Sequence, residues 1–129
     1  MINGTGRRKC SVARVYLSKK GSGQFQVNNK KISDFFVRER DLSISQLPLQ
    51  VFDEETLKSI DVKVSVRGGG TSGQAGSISM GLARAIVNLD PEMKVELRKS
   101  NLLTRDSRMV ERKKPGRVKA RKVQQFKKR

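Results

Sequence analysis

A chain of 129 residues with 29 Lys and Arg against 12 Asp and Glu has a formal net charge of +17, and this one holds no His, no Trp and one Cys. One domain is expected at that length, and its 34 Leu, Ile, Val and Phe stand above the floor of about 20 % below which chains fail to fold. The absent His removes the usual general base, the His-dependent nucleophiles and any His-ligated metal site, and one Cys makes neither an internal disulfide nor a Cys-rich zinc site.

From the N-terminus, Met1 to Cys10 is polar and basic with no apolar run. No signal peptide or membrane span is expected, and the chain reads as cytosolic. Lys9 to Leu17 reads as a strand through Ala13, Val15 and Leu17. The turn cluster Lys19-Lys20-Gly21-Ser22-Gly23 predicts a returning strand through Phe25 and Val27. Asn28-Asn29 predicts a second tight turn, because Asn tolerates positive φ. Ser33 or Asp34 is expected to cap a short helix carrying Phe35 and Phe36, and Pro48 to end any helix before it. Asp53-Glu54-Glu55 reads as a solvated helix start before Leu57 rather than as metal or acid/base carboxylates.

Ile60, Val62, Val64 and Val66 alternate with Asp61, Lys63, Ser65 and Arg67, the clearest strand in the chain, with one wet face. The glycine run from Gly68 to Gly76 breaks it. A helix follows with Ala75, Ile78, Leu82, Ala85 or Ile86 and Leu89 at helical spacing. Gly81 inside that helix costs about 1 kcal/mol relative to Ala, which points to close packing on the sheet. Asp90-Pro91-Glu92 starts another helix with a cap, a Pro in the first turn and an acid at the positive dipole end. The fold class is α+β: one mostly antiparallel sheet with helices packed on one face.

Charge divides the chain. Residues 1–100 hold 17 basic and 10 acidic side chains, whereas residues 101–129 hold 12 and 2. The expected organisation is a globular body over 1–104, whose last four residues form the hinge, and an extended basic tail over 105–129. Val118, Val123 and Phe126 are spaced too widely for a helix stripe, so the tail is expected to stay mobile until it meets a polyanion.

Gly68, Gly70 and Gly73 match G-x-G-x-x-G between a strand and a helix, the local context of a dinucleotide loop. No further βαβ unit follows, and Asp90 stands at a helix junction instead of ending a second strand. Gln74 and Ala75 replace the Lys and Ser/Thr that a phosphate loop requires. Two readings stay open: a flexible joint between sheet and helix, or a backbone loop turned toward RNA phosphates. Cys10 beside Lys9 could be an activated thiol, but without His or a second Cys it reads as a small core or strand residue. Aromatic residues are 5 % of the chain, which leaves phosphate contact by Lys and Arg as the main binding mode. A DNA-compacting protein would share the charge but expects dimerisation and a minor-groove wedge; a nucleotide-using enzyme is the third reading. No catalytic residue, metal or cofactor is expected.

Three ordered segments carry a resemblance. They are Gly4-Thr5-Gly6-Arg7-Arg8-Lys9 before a strand, Gly68-Gly69-Gly70 through Gly73-Gln74-Ala75-Gly76 before a helix, and Leu103-Thr104-Arg105-Asp106-Ser107-Arg108 leading to Glu111-Arg112-Lys113-Lys114 and Gln125-Phe126-Lys127-Lys128-Arg129. Over nearly its whole length the chain resembles the S-nine family of small-subunit ribosomal proteins in its short bacterial or organellar form. The resemblance implies a fold like the second domain of ribosomal protein S-five, with a left-handed βαβ crossover that handedness rules alone do not suggest. It implies binding to the 3′ domain of small-subunit rRNA in the head, beside neighbouring head proteins, with the tail at the peptidyl-site tRNA. A cytoplasmic ribosome is expected, with an organellar one as the alternative, and no membrane.

The rRNA contacts expected are Arg7, Arg8, Lys9 and Arg14 from the first strand and Arg67, Gly69 and Gly70 at the joint. From the tail come Arg105, Arg108, Arg112, Lys113, Lys114, Arg117, Lys119, Arg121 and Lys122. The expected tRNA contacts are Lys127, Lys128 and Arg129. Ser79-Met80 stands where the family usually has Arg-His, which puts a contact from that turn in doubt, and Gln124 replaces a frequent proline. If the tail neutralises about eight phosphates, log affinity for RNA falls with log salt at a slope of roughly −6 to −7. A slope shallower than about −2 in a salt titration contradicts the electrostatic account.

Overall fold

The computed structural model describes residues 1–128, and its first element is a strand that shows no apolar alternation in sequence: β1, Ile2–Arg8. The positions of β1 that face the core are glycines because helix α4, Thr71–Leu89, lies directly on the strand's backbone. A Cβ on Gly6 would run into the Ser77 carbonyl, and one on Gly4 would stand 2.5 Å from the Ala85 nitrogen. Seen from the helix, a Cβ on Gly81 would stand 2.9 Å from Val15 Cγ2 and 3.0 Å from the Gly6 nitrogen. The mid-helix glycine therefore does what its cost suggested.

This strand corrects two expectations. The strand expected over Lys9–Leu17 starts later, as β2, Ser11–Ser18, and pairs antiparallel with β1 through Gly6↔Ala13 and Gly4↔Val15. Lys9 and Cys10 form the two-residue turn between them, with Lys9 at φ 50°. Cys10 is accordingly an exposed free thiol at a hairpin tip, not a core or strand residue.

The sheet order is β1-β2-β5-β3-β4. Phe25–Val27, β3, does not return beside β2. The Val-rich β5, Asp61–Arg67, takes that place antiparallel to β2, and β3 lies parallel on its other side. A three-residue strand cannot compete with seven paired residues that bring Val15 opposite Val64. Asn28 and Asn29, at φ 48° and 65°, make the expected tight turn into the edge strand β4, Lys30–Lys31. The Asn28 side chain also continues the ladder where β3 stops, donating to the Val66 carbonyl and accepting from its N–H, both at 3.0 Å. The sheet is thus mixed, antiparallel in three of its four pairings.

The connection from β3 to β5 is helical: α1, Ile32–Phe35, then α2, Glu39–Gln46, a 3-10 turn over Leu47–Val51 and α3, Glu54–Ser59. The cap of α1 is Lys31, without a side-chain bond, rather than Ser33 or Asp34. Pro48 sits in the first turn of the 3-10 segment, after α2 has ended, and Asp53 precedes α3 as its N-cap. Asp90 accepts from the Glu92 N–H at 3.1 Å and opens a 3-10 turn that runs into α5, Lys94–Lys99. α2, the 47–51 turn and the 91–93 turn pack on α4, and Leu97 of α5 is buried. The core lies between this layer and the sheet, where Val15, Leu17, Val62 and Val64 meet Ile78, Leu82 and Ile86. Beyond β1 the sheet edge is closed by α4 side chains, Arg84 to the Thr5 carbonyl at 2.8 Å and Asn88 to that of Asn3 at 2.9 Å, which blunts an edge open to aggregation.

Gly6→Ala should lower stability by about 1–3 kcal/mol in urea unfolding, the cost of overpacking a seam whose neighbours are backbone atoms. Gly70→Ser, at a position with nothing within 4 Å of its absent Cβ, should leave stability unchanged or raise it, since Ser is a preferred N-cap.

Candidate nucleic-acid interface

The glycine run is a tight strand-to-helix joint. Gly68 and Gly69 have φ of 76° and 66°, a left-handed conformation that favours glycine. The buried Ser11 hydroxyl donates to the Gly68 carbonyl at 2.7 Å, and a Cβ on Gly69 would run into that same Oγ. Gly70 is different. It is extended, at φ −100°, and serves as the N-cap of α4 without a side-chain bond. The joint thus needs Gly68 and Gly69, while Gly70, Thr71 and Ser72 are exposed beside the β1–β2 turn.

Lys9 sits on that turn, and the residues of β1 that face away from α4 continue from it. Register places Arg7, Val12 and Arg67 in one row across three strands and Thr5, Arg14 and Ser65 in the next, all exposed. Arg7, Lys9, Arg14 and Arg67 are therefore brought together at one end of the sheet's open face. Arg8 points the other way. Its stem fills the space beside Gly76, and its Nη2 lies 3.4 Å from Asp106. Arg108 closes on the same carboxylate, with its Nη2 at 2.8 Å and its backbone N–H at 3.0 Å. Arg8 so anchors the root of the tail to the body through Asp106, which Arg108 also holds. The Arg108 side-chain bonds, then its N–H, then the charges of Arg108 and Arg8 hold the Asp106 carboxyl well below the usual carboxylate range.

Past that anchor the chain folds back on itself instead of running extended. Glu111 meets Lys114 Nζ at 3.0 Å and Arg121 Nε at 2.8 Å, and these contacts, Arg121 foremost, hold its carboxyl below the ordinary value. Gly116 turns the chain at φ 76°, and Arg117 bridges Val123. Arg105, Arg112, Lys113, Lys119 and Lys122 are exposed and, among the described residues, meet no carboxylate. Lys127 and Lys128 are exposed; Arg129 lies outside the described residues. Ser79 and Met80, on α4 itself, are buried, so neither side chain is open to an RNA contact. The sequence reading missed Lys31 and Lys63, although the alternation in β5 already sets Lys63 beside Ser65 and Arg67 on the wet face. Among the described residues there is no His, Cys, Asp and Glu cluster able to hold a metal, and no helix long and apolar enough to cross a membrane.

The family described as ribosomal protein S9/S16 matches residues 6–129 of the chain. The small ribosomal subunit protein uS9m of Arabidopsis thaliana is 49 % identical over 126 residues, which cover 98 % of this chain and 29 % of the relative. The chain spans less than a third of the length of that relative.

Because the Asp106 carboxyl is stabilised in its charged form, the clasp should hold from neutral pH down past the ordinary Asp value near 3.9 and open only as more acid protonates it. An NMR titration of the Asp106 side-chain carbon reads this directly: a midpoint at or above the ordinary value means that the clasp is absent in solution.

Proposed function

The chain belongs to the ribosomal protein S9/S16 family, and from that premise we propose that it is a structural, non-enzymatic constituent of the small ribosomal subunit. Its body binds the 3′ domain of small-subunit rRNA in the head, beside neighbouring head proteins, and its tail reaches the peptidyl-site tRNA. The fold is that of the second domain of ribosomal protein S-five, with a left-handed crossover from β3 to β5, and its ribosome is a cytoplasmic one, with an organellar one as the alternative.

The observation that carries this reading is the tail: ten of the last eighteen residues are Lys or Arg and none is acidic. Such a segment has no core to bury, and beyond the two cations that Glu111 holds its charge calls for a polyanion. Arg7, Lys9, Arg14 and Arg67 contact rRNA phosphates from the body, with the backbone of Gly69 and Gly70 beside them. Arg105, Arg112, Lys113, Lys114, Arg117, Lys119, Arg121 and Lys122 do so from the tail, opening the loop at Glu111 as phosphates replace its carboxylate. Arg8 and Arg108 reach rRNA with the donors that Asp106 leaves over. Lys127, Lys128 and Arg129 meet the tRNA. Fully stretched from Lys113, seventeen residues would span about 56–61 Å, and the fold-back over 111–123 shortens that reach until it opens.

In sedimentation of cell extract the protein should travel with the small subunit; migration with DNA or at the top of the gradient refutes the ribosomal reading. Small subunits reconstituted with a chain lacking Lys127–Arg129 should assemble normally. They should bind peptidyl-site tRNA more weakly by about 1–3 kcal/mol, three charge-assisted contacts partly replaced by ions and water. Unchanged tRNA affinity leaves the end of the tail as rRNA-binding material alone.

A further inference from the structure

The charges of the body are sorted by layer. The strands hold seven Lys or Arg and one acid, Asp61, whereas the helical stretches 32–59 and 90–99 hold nine acids and six Lys or Arg. α2 and the turns at 47–51 and 91–93 pack on α4, and the strand positions that face the other way, among them Arg7, Arg14, Lys63 and Arg67, are exposed. Register sets a row across all five strands on that face: Asn3, Tyr16, Lys63, Gln26 and Lys31. With the rows of Arg14 and of Arg7 and Arg67, it makes a grid of five cations around the half-buried Tyr16 ring. Neighbouring strands lie about 4.8 Å apart and alternate residues about 6.8 Å, so the long cationic side chains stand close enough to meet successive phosphates. Asp61, the one acid there, lies at the far end and is engaged by the Ser22 and Gln24 N–H groups at 2.8 and 2.9 Å.

We propose that the body docks on its RNA sheet-first, with Lys63, Lys31 and Tyr16 joining Arg7, Arg14 and Arg67 as one phosphate-binding platform, and the helical layer turned away. This rests on the RNA-binding reading above. Charge complementarity selects the occupant. In register the cations run from Lys31 through Lys63 to Arg67, Arg14 and Arg7, and on to Lys9 at the hairpin turn, a path that suits a long continuous polyanion better than a patch of acidic side chains. The helical layer, with more acids than bases, would meet the same phosphates with repulsion.

The test titrates the full-length chain with a transcript of the 3′ domain of small-subunit rRNA at several salt concentrations. Lys63→Gln and Lys31→Gln should each weaken binding about threefold to tenfold and make the salt slope shallower by about 0.7–0.9. Lys58→Gln and Lys99→Gln, the same change on the helical layer, should leave both unchanged, with melting temperatures confirming that all four variants fold. The proposal falls if the sheet variants bind like the parent, or if the helical variants lose as much. A loss only on removal of the tail overturns the platform and leaves the ribosomal role standing, whereas no binding by the parent chain overturns both.

Discussion

Everything in this protein hangs on how closely α4 approaches β1. Gly4, Gly6 and Gly81 let the two backbones touch, and no side chain larger than hydrogen fits between them. A glycine inside a helix costs about 1 kcal/mol, and two in a strand weaken it further. The return comes from what the contact brings under cover: Ile78, Leu82 and Ile86 are fully buried against Val15 and Leu17, and each such side chain contributes about 1.5–3 kcal/mol. The same seam commits the long helix, and with it the layer packed on it, to one face of the sheet.

That commitment decides where the charge goes. A chain at +17 repels itself in a compact state, and nine of its twelve acids sit in the helical stretches rather than on the strands. Six lie in the β3-to-β5 connection and three between Asp90 and Glu96. The two acids past residue 100, Asp106 and Glu111, each hold two cations of the tail or of β1. Exposed pairs of this kind contribute little to stability, so they chiefly set direction. Arg8, the β1 residue turned toward α4, joins the tail to the seam itself.

What could be read from the sequence was whatever is encoded by local period or local turn chemistry. The alternation in β5, the Asn28-Asn29 turn, the core face of α4 and the Asp90-Pro91-Glu92 start all appear in the structure as expected. β1 escaped notice because glycine, not an apolar side chain, marks its core positions; the pattern of Gly4 and Gly6 has meaning only once Gly81 is set against it. The neighbour of β2 escaped because pairing is non-local, and a turn cluster such as Lys19 to Gly23 says that the chain turns, not what it returns beside. The direction of Arg8 and the fold-back at Gly116 depend on Asp106 and Glu111, partners far along the chain. Arg14 and Arg67 were legible as cations on wet strand positions, whereas the place of Arg7 emerges only once β1 is seen. That they share a face with Lys63 and Lys31 follows only from the strand order.

The central claim is one of orientation: a glycine seam collects the helices on one side so that the other can meet phosphate. A density map of small subunits carrying this chain tests it most directly. The account predicts Arg14, Lys63 and Arg67 within charge-assisted hydrogen-bonding distance of rRNA phosphates, about 2.7–2.9 Å, with α2 and α5 facing away. A body seated on the rRNA through its helices, with the open sheet face turned to solvent, would contradict it.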